Sequence, residues 1–313
     1  SFNTNVLRYQ FSSLITPQST FDYDMDMKVS TLLKQTEVVG GYDLDDYHSE
    51  RLYAEARDGK KVPISIVYKK GYKKNGQGNL LLYAYGSYGS TNDPSFSSTR
   101  LSILDRGFAY AIAHIRGSQT YGRPWYEDGK MFNKMNTFTD FVDCSKYLIQ
   151  NNYTGPGHLF AMGGSAGGLL MGAVVNLAPE LYRGVIAAVP FVDVINTMSD
   201  ASIPLTSNEW DEWGDPMKKD EYDYMMTYSP YDNVYNADYP NMLVTAGYFD
   251  SQVQYWEPVK WVAKLRDYKV GENILYLHTN MDAGHGGKSG RFRRYKESAL
   301  KYAFILDLAG IKY

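Results

Sequence analysis

The residues with the clearest chemical potential are Gly163-Gly164-Ser165-Ala166-Gly167, which fit the pattern G-x-S-x-G. The apolar run Leu159–Met162 before them predicts a short buried strand, and Leu169–Asn176 after them predicts a helix. On such a strand-to-helix turn the serine hydroxyl projects at the carboxyl end of a parallel sheet. The outer glycines let the strand and the helix approach more closely than larger side chains would allow. The pattern therefore predicts that Ser165 is a nucleophile.

A nucleophilic serine needs a base, and the chain contains five histidines. In α/β-hydrolases the triad follows the chain order Ser, then Asp or Glu, then His. That order disfavours the three histidines that precede the serine, which are His48, His114 and His158. His278 lies in an alternating run that predicts a strand, where a partly buried structural histidine is expected. His285 lies in a glycine-rich loop just past that strand, from which it can reach the end of the sheet, and it is the predicted base.

The carboxylate that orients the histidine should follow another strand, between the serine and the histidine in sequence. The apolar run Asn241–Gly247 predicts such a strand, and Asp250 follows it closely. Buried beside an imidazole, its carboxylate would fix the tautomer and stabilise the imidazolium ion. Asp282, three residues before His285, is the main alternative, and Asp193 is a weaker one.

The chain from residue 37 to 313 alternates predicted strands with predicted helices. This alternation indicates an α/β-hydrolase fold with a mostly parallel, doubly wound sheet. Asp58-Gly59 between two alternating runs predicts a hairpin. Continuous apolar runs predict strands covered on both faces, and helical spacing predicts helices between strands. The clearest of these segments are 80–85, 108–113, 137–150 and about Arg291 to Leu308.

Residues 1–36 do not follow that scheme. Short alternating runs such as Phe21–Asp26 predict an antiparallel sheet that is too small to bury a face of its own. The chain also begins with Ser1 and not with methionine. We therefore expect the chain to be a fragment or one product of proteolytic nicking; the alternative is that residues 1–36 form a small antiparallel subdomain packed on the catalytic domain.

Composition narrows the function classes. A chain of 313 residues, 44% hydrophobic, is large enough for one big domain and a short amino-terminal piece. The net charge of −3 indicates no nucleic-acid partner, and no run approaches the ~20 apolar residues that span a bilayer. No cluster of metal ligands and no dinucleotide or phosphate loop is visible, so no cofactor is expected. The single cysteine, Cys144, forms no internal disulfide, and a cytoplasmic protein is expected unless a signal peptide lies on a missing segment.

Beyond these patterns, the chain resembles the catalytic region of the prolyl oligopeptidase family of serine peptidases. The matching motifs extend over nearly the whole chain and are Tyr85–Gly89, Trp125–Lys130, Asn136–Phe141, Gly163–Gly172, Val189–Val194, Asp211–Gly214, Asp250–Pro258 and Ala283–Gly286. The resemblance implies a triad of Ser165, Asp250 and His285 that works through an acyl-enzyme. It also implies an amino-terminal β-propeller that filters substrates by size. The propeller is absent from this sequence, and residues 1–36 resemble the end of its last blade.

The negative charge of a tetrahedral intermediate requires an oxyanion hole. The backbone N–H of Ala166, directly after the nucleophile, is the first predicted donor. The resemblance implies the hydroxyl of Tyr85 as the second donor. Without the resemblance, Tyr85 would be read as an ordinary tyrosine at the end of a strand.

Acidic residues are the candidates for substrate preference. On residues alone, the segment 208–213 is interpreted as a solvated acidic loop. If its backbone is extended, the side chains of Glu209 and Asp211 lie on the same side. If it is a helix, those of Glu209 and Glu212 do. The resemblance implies that Glu209 and Asp211 bind the Lys or Arg before the cleaved bond of short basic peptides. Asp93 matches one acidic residue of the neighbouring subsite.

The chain departs from the family pattern at two places. The usual acidic partner of Asp93 is replaced by Ser95, and the loop 117–122 replaces a run of glycines and a glutamate. The sequence therefore does not predict a preference for a second basic residue in the substrate. An esterase or acyl-transferring α/β-hydrolase, or a binding module without catalysis, remain the alternative function classes.

Overall fold

The computed structural model describes residues 3–290 and 292–312, and strands and helices alternate through most of them. The strands are β1 (Val6–Phe11), β2 (Ser19–Asp24), β3 (Val29–Gln35), β4 (Tyr47–Glu55), β5 (Lys61–Lys69), β6 (Leu80–Tyr83), β7 (Ala109–Ala113), β8 (Leu159–Gly164), β9 (Gly184–Ala188), β10 (Asn241–Gly247) and β11 (Leu275–Asn280). The α-helices are α1 (Ser98–Leu104), α2 (Arg123–Glu127), α3 (Met135–Gln150), α4 (Ala166–Leu177), α5 (Val194–Ser199), α6 (Thr206–Trp213), α7 (Lys219–Met226), α8 (Trp256–Tyr268) and α9 (Arg293–Leu308).

Strands β4 to β11 form an eight-stranded sheet in the order β11-β10-β9-β8-β6-β7-β5-β4. Neighbouring strands from β11 to β7 are parallel, whereas β5 pairs antiparallel with both β7 and β4. The β4–β5 pair is the hairpin that Asp58-Gly59 predicts. The α/β-hydrolase fold with a mostly parallel sheet is confirmed.

Helices cover both faces of this sheet, as its apolar strands require. In β7 the side chains at 109, 111 and 113 belong to one core cluster and those at 110 and 112 to the other, which is the period of two that a strand imposes. The first cluster includes residues of α3, α4 and α8, and the second includes residues of α1 and α9. The sheet therefore lies between two helical layers and is rigid where the site is built.

Some element boundaries differ from the sequence prediction. β10 matches the predicted strand 241–247, but β6 ends at Tyr83, so Tyr85 lies on the loop that leaves the sheet. α9 begins at Arg293; Arg291, the predicted start of this helix, lies outside the described residues. No helix in the described part of the chain is long and apolar enough to cross a membrane.

Strands β1, β2 and β3 form a separate antiparallel sheet, as residues 1–36 predict. All positions of β1 and β3 are exposed, including large apolar side chains. The segment between β1 and β2 contacts the main domain, where the hydroxyl of Tyr42 donates to the carbonyl of Ile15 at 2.6 Å. An exposed apolar sheet of this size does not bury a core of its own.

Candidate active site

Ser165 lies on the sharp turn between β8 and α4. Its backbone has φ of 59° and ψ of −119°, an unusual conformation for a non-glycine residue and typical of a nucleophile held by its surroundings. The turn is tight enough that a Cβ on Gly163 would lie 2.1 Å from the carbonyl oxygen of Gly167. Glycine is therefore required at position 163 for the strand and the helix to meet.

His285 lies between Ser165 and Asp250. The Nε2 atom of His285 is 2.9 Å from Oγ of Ser165, and its Nδ1 atom is 2.7 Å from Oδ2 of Asp250. The Asp250 side chain is completely buried and that of His285 is 16% exposed. The other carboxylate oxygen of Asp250 accepts hydrogen bonds from the backbone N–H groups of Gln252 and Val253, both at 2.9 Å. The acid is thus fixed from its own loop and presents one oxygen to the imidazole.

The other histidines are not close to the serine hydroxyl. His48 is exposed on β4, the far edge of the sheet, and Nδ1 of His158 contacts Oδ1 of Asn79 at 3.0 Å. Nε2 of His114 is 2.8 Å from Oγ of Ser65, and burial lowers the pKa of His114 to about 4. His278 is exposed and not partly buried as expected, because β11 is an edge strand.

The alternative acids are engaged elsewhere. Asp193 is buried and pairs with Nζ of Lys260 at 2.5 Å. Asp282 is exposed and pairs with Nζ of Lys288 at 3.1 Å. Among the described residues, neither carboxylate contacts the ring of His285.

The predicted oxyanion donors lie beside the serine. Ala166 is the first residue of α4, so its N–H precedes the internal hydrogen bonds of the helix. Tyr85 lines the same pocket as Ser165 and Ala166. Burial raises the pKa of Tyr85 to about 12, so its hydroxyl keeps the proton that it would donate. Ala166 and Tyr85 therefore both lie at the pocket beside Ser165, as the two predicted donors should.

A pocket of about 340 Å³ opens beside Ser165. Its walls are mainly apolar and aromatic, with one carboxylate, that of Glu209. One oxygen of this carboxylate, Oε2, accepts hydrogen bonds from the hydroxyl of Tyr88 at 2.6 Å and from Nε1 of Trp213 at 2.9 Å. Among the described residues that line the pocket, Glu209 is thus the one carboxylate, and the other side chains are uncharged.

The structure does not bring Asp211 or Asp93 into this pocket. Segment 206–213 is the helix α6, so Glu209 shares its face with Glu212, and Asp211 is exposed. Asp93 is exposed on the segment before α1. The expectation of a carboxylate pair at 209 and 211 depends on an extended backbone that the chain does not adopt.

The sequence did not indicate a supporting role for Lys134, for Glu212 or for the loop 117–122. The side chains of Lys134 and Glu212 are buried 3.8 Å apart beneath it. The unusual loop 117–122 packs on the segment that carries Tyr85, because the N–H of Gly89 donates to the carbonyl of Gly117 at 3.0 Å. The motifs Tyr85–Gly89 and Asn136–Phe141 lie next to these residues, which is the signal that could have pointed to them. Within the described residues, no group of three metal-ligating side chains is present.

Several known proteins resemble this chain in sequence and in structure. A model of the prolyl oligopeptidase family matches residues 94–312. The chain is 54% identical, over 98% of its length, to "Dipeptidyl aminopeptidase BI" from Pseudoxanthomonas mexicana. It is 52% identical, over 100% of its length, to "Protease 2" from Moraxella lacunata. The structure of oligopeptidase B from Leishmania major superposes with a TM-score of 0.94 at 45% identity, over 99% of this chain.

The chain therefore belongs to the prolyl oligopeptidase family of serine peptidases, and the resemblance predicted from its motifs is confirmed. It covers only 43%, 45% and 43% of these three proteins, respectively. The chain thus spans less than half the length of these relatives.

Proposed function

We propose that this chain is the catalytic domain of a serine oligopeptidase that cleaves short peptides after Lys or Arg. The observation that carries the proposal is the hydrogen-bonded chain from Ser165 through His285 to Asp250. Serine, imidazole and buried carboxylate in this order are the groups that acyl transfer requires.

In the proposed mechanism, Oγ of Ser165 attacks the carbonyl carbon of the scissile bond while Nε2 of His285 takes its proton. Asp250 holds the ring through Nδ1 and stabilises the imidazolium ion. The N–H of Ala166 and the hydroxyl of Tyr85 donate to the developing oxyanion. His285 then gives its proton to the leaving amine, and a water molecule hydrolyses the acyl-enzyme by the same sequence of proton transfers.

Specificity for Lys or Arg is supported by Glu209, the carboxylate in the pocket wall. A guanidinium or ammonium group placed there would meet a negative charge in partly desolvated surroundings, where charge-assisted hydrogen bonds are strong. Asp211 has no part in this proposal, since it is exposed. Asp93, which is exposed on the segment before α1, is proposed only as a contact for a second basic residue of the substrate.

We further propose that residues 1–36 belong to the last blade of an amino-terminal β-propeller and that residues 37–313 are the catalytic domain. The exposed apolar side chains of the small sheet, which include Leu7, Phe11, Val29 and Leu32, favour burial against a further domain. A cytoplasmic location is proposed from the single buried, free cysteine. Cell fractionation tests the location.

The proposed function is tested with three substrates on the full natural chain: a chromogenic peptide ending in Arg, one ending in an apolar residue, and a simple ester. Preferential cleavage of the Arg peptide supports the proposal. Hydrolysis of the ester alone would favour the esterase alternative. Mass analysis of the products of a longer peptide distinguishes internal cleavage from removal of amino-terminal dipeptides.

A further inference from the structure

Tyr88, on the rim of the pocket, is held at both its backbone and its side chain by acidic residues of α6. Its φ of 59° is a conformation that a non-glycine residue keeps only where its surroundings enforce it. Its N–H donates to Oε1 of Glu212 at 2.9 Å, and its hydroxyl donates to Oε2 of Glu209 at 2.6 Å. Its ring meets that of Trp213 edge-on, with 5.6 Å between the centroids. These two hydrogen bonds and the ring contact hold the exposed side chain of Tyr88 in one position.

The loop that carries Tyr88 is fixed from beneath by a buried ion pair. Nζ of Lys134 donates to the carbonyl of Gly86 at 2.7 Å and to Oγ of Ser87 at 2.8 Å. The same Nζ lies 3.8 Å from Oε1 of Glu212. Burial lowers the pKa of Lys134 to about 8, so the ammonium group stays mostly charged at neutral pH and offsets the charge of Glu212. Glu212 is therefore a support of the loop and not a free charge for substrate.

Glu209 remains as the uncompensated carboxylate of the pocket. Among the described residues, no Lys or Arg forms an ion pair with it, and no donor reaches its Oε1 atom. Oε2 is occupied by two donors, the hydroxyl of Tyr88 and Nε1 of Trp213. Two donors on one oxygen fix the carboxylate and leave the acceptor sites of the other oxygen for a ligand.

We propose that Tyr88 is a specificity-determining positioning residue whose hydroxyl orients Glu209 so that the free oxygen meets the cationic side chain of the substrate. This inference rests on the proposed function, because it concerns the carboxylate that recognises Lys or Arg. Tyr88 also lies three residues after Tyr85, and their ring centroids are 6.2 Å apart. Recognition of the cation and placement of the oxyanion donor thus depend on the same short loop.

The variant Tyr88→Phe tests the inference, because it removes the hydroxyl and keeps the backbone hydrogen bond to Glu212. We expect kcat/KM for an Arg substrate to fall roughly tenfold, as for loss of one hydrogen bond to a charged group. The value for a matched apolar substrate should fall less, so the ratio of Arg to apolar activity should drop. Tyr126→Phe is the control, because it removes a hydroxyl that donates to Oε2 of Glu212 at 2.6 Å. The ratio of Arg to apolar activity should stay the same in this control.

Glu209→Gln, alone and combined with Tyr88→Phe, completes a double-mutant cycle. If Tyr88 acts through Glu209, the double variant has the same Arg-to-apolar ratio as Glu209→Gln. Additive losses, or an unchanged ratio in Tyr88→Phe, would overturn the inference and leave the proposed function standing. An unchanged preference in Glu209→Gln would overturn the Lys/Arg specificity itself, and the inference with it.

Discussion

The Nε2 atom of His285 lies 2.9 Å from Oγ of Ser165, although 120 residues separate the two in sequence. The sheet order explains this proximity. Ser165 directly follows β8, and His285 follows β11. In the parallel part of the sheet β11 lies three strands away from β8, with β9 and β10 between them. Because parallel strands end at one edge of a sheet, loops after different strands meet there.

The first prediction concerns that serine. An organophosphonate should label one residue, Ser165, and Ser165→Ala should take up no label and lose peptidase activity by several powers of ten. Peptide mass mapping locates the label. Ser251→Ala is the matched control, because Ser251 is exposed next to Asp250 and should leave labelling unchanged. A label that persists in Ser165→Ala would disprove the nucleophile.

The second prediction separates the candidate acids. Asp250→Asn should lower kcat by several powers of ten, because the amide favours the wrong tautomer of His285. Asp282→Asn should leave kcat nearly unchanged, because Asp282 is exposed and its carboxylate pairs with Lys288. Circular dichroism checks that both variants are folded. Near-normal turnover in Asp250→Asn would mean that another carboxylate orients the ring.

The fold and the position of the candidate nucleophile were predictable because their signals are local. A strand, G-x-S-x-G and a helix occupy consecutive residues, and the strand spacing constrains which later loops can supply Asp250 and His285. Each of these predictions needs only the order of the elements, which apolar periodicity indicates. The distances between the side chains of Ser165, His285 and Asp250 could be obtained only from the structure.

The candidate specificity site was less predictable because it depends on the backbone conformation of residues 206–213. Whether Glu209 shares a face with Asp211 or with Glu212 is decided by the helix α6, which is only eight residues long and mostly polar. The contact between Tyr88 and Glu209 joins residues 121 positions apart. It also requires a positive φ at a tyrosine, which sequence patterns do not indicate.

The third prediction uses the difference between neighbouring acids on α6. Glu209→Gln should lower kcat/KM for Arg substrates by one to two powers of ten, since a charge-assisted hydrogen bond is worth about 1.5–3 kcal/mol. Arg substrates should suffer more than Lys substrates if the guanidinium binds bidentately. Asp211→Asn, at an exposed position, should have little effect. Steady-state kinetics with Arg, Lys and apolar peptides decide this, and equal losses on all three would assign Glu209 a purely structural role.

The fourth prediction concerns Glu257, a buried carboxyl at the start of α8. Its Oε2 accepts the N–H groups of Val192 and Asp193, both at 3.0 Å, and its Oε1 accepts the hydroxyl of Thr197 at 2.7 Å. Burial raises the pKa of Glu257 to about 7, above the ordinary value of 4.5. The folded state therefore binds this proton more tightly than the unfolded chain does. The stability from this group is full below pH 4.5 and is lost as the pH rises through 7.

Glu257→Gln removes this titration, because the amide is neutral at every pH. The free energy of unfolding of the native protein, relative to that of the variant, should fall by about 3 kcal/mol from below pH 4.5 to above pH 7, at 1.36 kcal/mol per pKa unit. Urea unfolding at several pH values across this window measures the difference. Glu180→Gln, at an exposed position, is the control. The pH dependence of its free energy of unfolding should be the same as that of the native protein. Parallel profiles for Glu257→Gln and the native protein would show that the buried carboxyl does not take up its proton in this range.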